Sequence, residues 1–543
     1  MSDTAPEKTP PKNPGTGFNA LMVAAGILLS RIAGLVRESI FAHYFGDSDA
    51  ADAYKAAFRI PNFLATLFGE GVLSASFIPV YANLLARDDK EEARRVAGAV
   101  LSLLAMVVAI IVLLGVLLTP FFIDAIAPGF HGEKRDLTIR LVRIAFPGIG
   151  LLVLSAWCLG ILNSHRRFFL SYAAPIAWNA AIVTTLIVFG HRRHGESDLA
   201  VIVSWGAVVG CALQLLVQVP TVLKLLHGLP LVFDTVSSNV RTVVANFLPV
   251  FISRGVVQVS AYVDQLLSSL LPTGAVAALA YAQQLSLMPI SLFGMSVSAA
   301  ELPAMSGALG DEREIASYLA SRLNYGLRQI GFFVVPSAMA FFAFGDIING
   351  AIYQSGKFTH EVSIYVWGIL AGSSVGMVAS TLGRLYSSAY YAMRDTRTPL
   401  KFAVIRVLLT SALGYLAAFP LPPKLGLDAK WGVAGLTASA GIAAWVEFIL
   451  LRRTLNSRIG KTGLPGRFVF KLWLGATLAA ALGWAIKIGV GPHNPRILAV
   501  LVLGPYGITY FGLTVALKVK EARGAIDRAL RLLSLARVSR KQE

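Results

Sequence analysis

Residues 18–46 read FNALMVAAGILLSRIAGLVRESIFAHYFG. A run of about twenty apolar residues, rising about 1.5 Å per residue, crosses a hydrocarbon core of about 30 Å, so this stretch reads as a membrane-spanning helix. It has no small-residue cleavage pattern and is expected to be retained. Yet Ser30 and Arg31 fall well inside it, followed by Arg37 and Glu38. Counted from Phe18, Arg31 sits roughly 20 Å along the axis and Arg37 roughly 28 Å. A guanidinium at the bilayer centre costs at least about 2.5–3.5 kcal/mol, so Arg31 calls for a wet cavity or a partner. Its planar fork suits bidentate contact with a phosphate. Two readings stand for Arg31: anion binding, or pairing with Glu38, seven residues on and on the same helical face. The same two stand for Arg37, which lies nearer the outer boundary.

The rest of the chain agrees with a membrane protein. It has 543 residues, 55% hydrophobic and 14% charged, with a mean hydropathy of +0.65. Soluble domains carry about 25% charged residues. Apolar runs place helices near 18–46, 56–85, 96–118, 137–162, 170–190 and 199–223, then 242–271, 275–307, 314–345, 362–392, 399–419 and 431–451, and finally 468–488 and 496–517. The expected fold is all-α and polytopic, with about fourteen spans. Residues 1–17 form a Pro- and Lys-rich cytoplasmic tail, 18–223 a first lobe of six helices, 242–451 a second, 468–517 two further helices, and 518–543 a basic amphipathic tail on the membrane surface. No room is left for a soluble catalytic domain, and no nucleophile elbow, His-rich metal spacing or Walker motif is present. An enzyme is therefore not expected, nor any metal or nucleotide cofactor. Cys158 and Cys211 lie in apolar runs and suggest no disulfide.

The net charge of +18 would suggest nucleic acid in a soluble protein, but in a polytopic one basic residues gather in cytoplasmic loops and near anionic lipid. One set of alternate loops, with both tails, carries 29 Lys and Arg, and the opposite set carries 11. Both termini are expected in the cytoplasm, with membrane lipid rather than nucleic acid as partner. Eight basic residues counted in neither set lie inside the spans: Arg31, Arg37, Arg143, Arg254, Arg328, Arg384, Arg406 and Lys487.

An internal repeat adds architecture. Ser30-Arg31 recurs as Ser253-Arg254, Ala53-Tyr54 as Ala280-Tyr281, and Pro61 and Pro79 as Pro289 and Pro303, all at offsets of 223 to 228. An even number of helices separates the copies, so the two lobes are expected to be related by a pseudo-two-fold axis along the membrane normal. Arg254 then lies at a depth like that of Arg31. Asp52, Asn62 and Glu70 in the first hairpin join Ser30, Arg31, Arg37 and Arg254 as candidate substrate-binding residues. The in-span acids Glu301 and Glu447 are open between an ion-coupling role and a structural one.

Several motifs together resemble the lipid II flippases of the MurJ/MviN family. They are the run from Ser30 to Pro79, Ala127-Pro128-Gly129-Phe130, Gly160-Ile161-Leu162-Asn163 with Arg167-Phe168, Ala174-Pro175 with Asn179, Gln214 with Gln218-Val219-Pro220, Gly356-Lys357-Phe358, and Tyr390 with Asp395-Thr396 and Thr398-Pro399. The resemblance implies the superfamily of MATE-type exporters, with two extra C-terminal helices. It also implies transfer of the undecaprenyl-pyrophosphate-linked peptidoglycan precursor between leaflets of the bacterial cytoplasmic membrane by alternating access, driven by sodium, protons or the membrane potential, alongside the wall-synthesis machinery. The alternatives are a flippase for a related lipid-linked oligosaccharide and a cation-coupled exporter. By the same resemblance, Ser30, Arg31, Arg37, Asp52 and Glu70 match the family's cavity residues. Two departures stand out: Ala65 and Thr66 occupy a position where the family often has an arginine, and Gln283-Gln284 one where it often has Asp-Arg. Arg254 is expected to restore the missing positive charge.

Overall fold

The computed structural model describes residues 15–67, 72–73, 76–191, 195–228, 237–307, 311–491 and 493–524. Among them the chain is helical apart from turns and one isolated β-bridge between Ser355 and Phe358. Where they are described, the expected segments fall largely on helix: α1 Gly15–Phe45, α2 Asp49–Thr66, α3 Ile78–Ala86, α4 Lys90–Leu117, α5 Thr119–Ile126, α6 Gly132–Ser164, α7 Phe168–Ala173, α8 Pro175–Gly190, α9 Glu196–Leu226 and α10 Ser238–Ser269. There follow α11 Ala275–Pro289, α12 Ser296–Ser306, α13 Glu312–Tyr353, α14 His360–Ala392, α15 Arg397–Ala418, α16 Leu421–Lys424, α17 Gly432–Ile459, α18 Gly466–Val490 and α19 Pro495–Ala516. Among the described residues eleven helical segments are long and apolar enough to cross a membrane. The other three expected spans fall on α1, on α2 with α3, and on α10.

Helix starts follow local chemistry. Asp89 caps α4 by accepting from the Glu92 amide, and Asp311 and Glu314 form a reciprocal capping box on α13. α13 is 42 residues long, about 63 Å at helical rise and too long for one straight span. It breaks at Phe344, whose φ of −131° and ψ of 21° leave the helical region.

The chain divides into two compact units, Met1–Phe41 with Ala56–Asp124 and His131–Gln258, and Ala42–Lys55 with Ala125–Phe130 and Val259–Glu543. In the first, α6 packs on α4 and α9, and α9 on α8. In the second, α14 lies among α11, α13 and α17, α17 also packs on α15, and α18 and α19 pair with each other and against α13. π-helical backbone occurs at Leu67 and Val72–Leu73 in the first expected copy and over Ile290–Met295 in the second. In the second copy Pro289 supplies a cause, because its ring removes a backbone donor and crowds the preceding turn.

α14 and α17 cross with backbones almost touching. A Cβ built on Gly441 would lie 2.7 Å from the Gly376 amide nitrogen, so neither position accepts a side chain. Van der Waals contact between small residues is a main source of helix association in lipid. Gly376→Val is expected to cost about 1–3 kcal/mol, read as a lower midpoint of thermal unfolding in detergent. Gly504→Val, at a position with no neighbour within 4 Å, should leave that midpoint nearly unchanged.

Candidate functional site

Six residues at about 100° each turn a helix through 600°, so Arg31 and Arg37 project about 120° apart. Their surroundings differ accordingly. Arg31 is exposed, and among the described residues it has no hydrogen-bond or ion-pair partner. Ser30 beside it is half-buried. Arg37 is held in the first unit: its Nη2 donates to Glu38 Oε1 at 2.6 Å, and its guanidinium lies 4.7 Å from the centre of the Trp178 ring on α8. The expected alternative of Arg31 pairing with Glu38 is corrected. The two share a face, but seven residues separate them by about 10 Å along the axis, and the buried Glu38 carboxylate takes the nearer Arg37.

Asp52 also departs from expectation. It is 1% exposed, and its two oxygens accept from the amides of Gly274 (2.8 Å) and Ala277 (2.7 Å), closing the N-terminus of α11. A carboxylate there satisfies orphan amides and complements the helix dipole. It therefore serves as a helix cap within the second unit rather than as an open ligand. Gly274, at φ +88°, occupies the left-handed conformation that lets the chain turn into this cap. The same unit fastens the end of α1: Tyr281 donates its hydroxyl to the Gly46 carbonyl at 2.9 Å, and the Lys357 amide donates to the His43 carbonyl at 2.9 Å. Asn62 is exposed on α2. Glu70 lies outside the described residues, as does the side chain of Arg254, whose backbone belongs to α10.

The acids whose role was open have basic partners in the second unit. Glu301, 5% exposed, pairs with Arg322 at 2.8 Å, and Glu447 with Arg406 at 3.1 Å. Asp346, just past the break in α13, holds Lys487 at 2.6 Å. Among the described residues no group of three or more His, Cys, Asp or Glu side chains converges as a metal site would require.

A family model described as lipid II flippase MurJ matches residues 41–493. The chain belongs to this family. The lipid II flippase MurJ of Burkholderia cenocepacia is 32% identical over 474 residues, covering 86% of this chain and 89% of the relative. The probable lipid II flippase of Rhizobium tropici is 30% identical, covering 83% and 86%. A solved structure of the lipid II flippase MurJ in an inward closed conformation superposes with a TM-score of 0.75 at 23% identity, over 92% of this chain and 98% of that one. An inward-facing MATE family transporter of the MOP superfamily gives 0.65 at 15% identity over 81% and 98%; these two likenesses establish the fold. The family match begins after Ser30, Arg31 and Arg37, so the reading of those residues rests on geometry.

Several motifs that carry the family resemblance turn out to fasten helices together. Gln214 donates to Ser155, and Ser155 to the buried Gln218, joining α6 and α9 at 3.0 and 3.2 Å. Tyr390 donates to the Leu451 carbonyl at 3.0 Å. Asp395 Oδ1 accepts from the Arg397 and Thr398 amides, and Oδ2 accepts from the Thr398 hydroxyl and, at 2.7 Å, from Arg458 at the end of α17. Sequence reasoning missed Arg322, Arg406 and Arg458 as partners, because each lies between 21 and 63 residues from its carboxylate in the chain. The one available signal was the occurrence of an acid and a base at similar depth in neighbouring spans.

Two predictions follow from these contacts. Removing the cap by Asp52→Ala should cost about 1–3 kcal/mol in thermal unfolding, whereas Asp52→Asn, which keeps one acceptor, should cost less. The Thr398 hydroxyl and amide, followed by Arg458, hold the Asp395 carboxyl down at about 2. Its contribution to stability is therefore complete above the ordinary carboxylate value near 4 and is lost as pH falls from there through about 2. A pH series of unfolding midpoints should show this step in the parent protein and lose it in Asp395→Asn.

Proposed function

We propose that this chain moves the undecaprenyl-pyrophosphate-linked disaccharide-pentapeptide precursor of peptidoglycan from the inner to the outer leaflet of the bacterial cytoplasmic membrane, by alternating access. The observation that carries the mechanism is Arg31, an exposed guanidinium near the middle of the 31-residue helix α1, with no ion pair among the described residues. A cation at that depth is costly unless water or an anion meets it, and a diphosphate offers the geometry its fork prefers. Family membership supports the substrate, since the relatives of Burkholderia cenocepacia and Rhizobium tropici are named as established or probable lipid II flippases. The excess of Lys and Arg in one set of loops supports fourteen spans with both termini in the cytoplasm.

In this reading Arg31 and Ser30 bind the pyrophosphate from the first repeat, Arg254 supplies the symmetry-related cation, and Asn62 and Glu70 contact the headgroup. Arg37 supports the site indirectly, by tying α1 to Trp178 on α8. The likeness to MATE transporters fits a cycle coupled to sodium, protons or voltage.

The test is reconstitution of the purified chain in vesicles containing labelled lipid-linked precursor, with each gradient imposed in turn. The parent protein should transfer the precursor to the opposite leaflet. Arg31→Ala should slow transfer by about 10–100-fold, the loss expected for charge-assisted hydrogen bonds worth about 1.5–3 kcal/mol. Parental rates in Arg31→Ala would remove Arg31 from the mechanism, and an inactive parent would remove the substrate assignment. In flippase-depleted cells Arg254→Ala should fail to restore growth, and normal growth would exclude Arg254.

A further inference from the structure

Arg37, Arg322, Arg328, Arg406 and Lys487, all inside the expected spans, each hold a carboxylate. Arg384 on α14 holds none: it is exposed, and among the described residues its guanidinium has no hydrogen bond or ion pair, its carbonyl alone accepting from the Ser388 hydroxyl. Its helix packs on α17, which carries Glu447, and α17 packs on α15, which carries Arg406: a Cβ built on Gly383, the residue before Arg384, would lie 4.0 Å from the Cβ of Phe448, the residue after Glu447. Glu447 Oε2 is already bound by Arg406 Nη1 at 3.1 Å. Arg406 Nε is buried without a hydrogen-bond partner among the described residues. The cluster thus holds two guanidinium groups against one carboxylate, with a buried donor left over.

Depth makes this imbalance significant. α15 has 22 residues, about 33 Å, close to the thickness of the hydrocarbon core, and Arg406 lies nine residues, about 14 Å, from its first residue. Arg384 lies eight residues, about 12 Å, before the end of α14. A net positive charge below the headgroup level is costly unless an anion joins it, and lipid phosphates are the anions a bilayer supplies. A phosphate drawn slightly inward meets a guanidinium that snorkels outward, and the planar fork accepts two of its oxygens.

We propose that Arg384 and Arg406, with Glu447 balancing one of them, form a binding site for the phosphate ester of a lipid in the second unit. The phosphate can belong to a bilayer phospholipid or to a polyprenyl diphosphate, both of which offer the same oxygens. The site is independent of Arg31 and needs no assumption about what the protein transports.

The experiment is native mass spectrometry of the full chain released from detergent with dioleoyl phosphatidate, undecaprenyl diphosphate, or dioleoylglycerol, which has no phosphate. The parent protein should retain at least one phosphate-bearing lipid in preference to dioleoylglycerol, and Arg384→Gln should weaken that retention at least tenfold. Loss confined to phosphatidate identifies a bilayer lipid, and loss confined to undecaprenyl diphosphate identifies a polyprenyl ligand. Glu447→Gln, which frees Arg406 from its competing carboxylate, should tighten retention about fivefold, an effect no merely structural role would give. Should Arg384→Gln fail to fold, Glu447→Gln carries the test alone, and absence of the gain overturns the proposal. Equal retention by the parent and Arg384→Gln, or no preference of the parent for phosphate over dioleoylglycerol, also overturns it. Because the readout is binding rather than transfer, either failure leaves the flippase reading untouched.

Discussion

A charge in hydrocarbon has to be met by an opposite charge, a backbone dipole or water, and this constraint orders much of the second unit. Glu301 with Arg322, Glu447 with Arg406 and Asp346 with Lys487 each join two different helices. Among apolar surfaces that slide over one another without much preference, such pairs specify which helix lies beside which. Truncating one partner would leave a charge without compensation, a far larger penalty than the net worth of the pair. The same constraint sharpens the contrast between Arg37, enclosed by Glu38 and Trp178, and the exposed Arg31, which gives the transport reading its physical basis.

Backbone groups impose a second requirement, since no helix end can be left unsatisfied away from water. The turn between α1 and α2 shows how it is met. Asp52 closes α11, Tyr281 closes the end of α1 at Gly46, and the Gly356-Lys357-Phe358 turn reaches the His43 carbonyl. Asp395 does similar work between α14, α15 and α17. Several residues that mark the family are therefore joints of the scaffold. Their identity reflects hydrogen-bond geometry, and substrate chemistry falls to fewer positions.

The two repeats share an irregularity as well as residues. π-helical backbone occurs within the second helix of each expected copy, at Leu67 and Val72–Leu73 and over Ile290–Met295. A π turn leaves part of the regular hydrogen-bond ladder open and bends the helix, a feature transporters use where a helix must change shape.

The membrane class and the positions of the helices were legible in the amino-acid order. Each depends on apolarity and rise along a single helix, which are local properties. Partner choice was not legible: Glu38 could have taken Arg31 or Arg37, and nothing near Glu301 or Glu447 in the chain pointed to Arg322 or Arg406. Asp52 read as a cavity acid because an acidic residue in a hairpin looks the same whether it faces a ligand or a helix terminus 222 residues away. Helical periodicity tells which face a residue occupies, but only packing decides what meets that face. Tertiary structure therefore decided which charges are structural, and left the side chains of cations such as Arg31, Arg143 and Arg384 without a partner among the described residues.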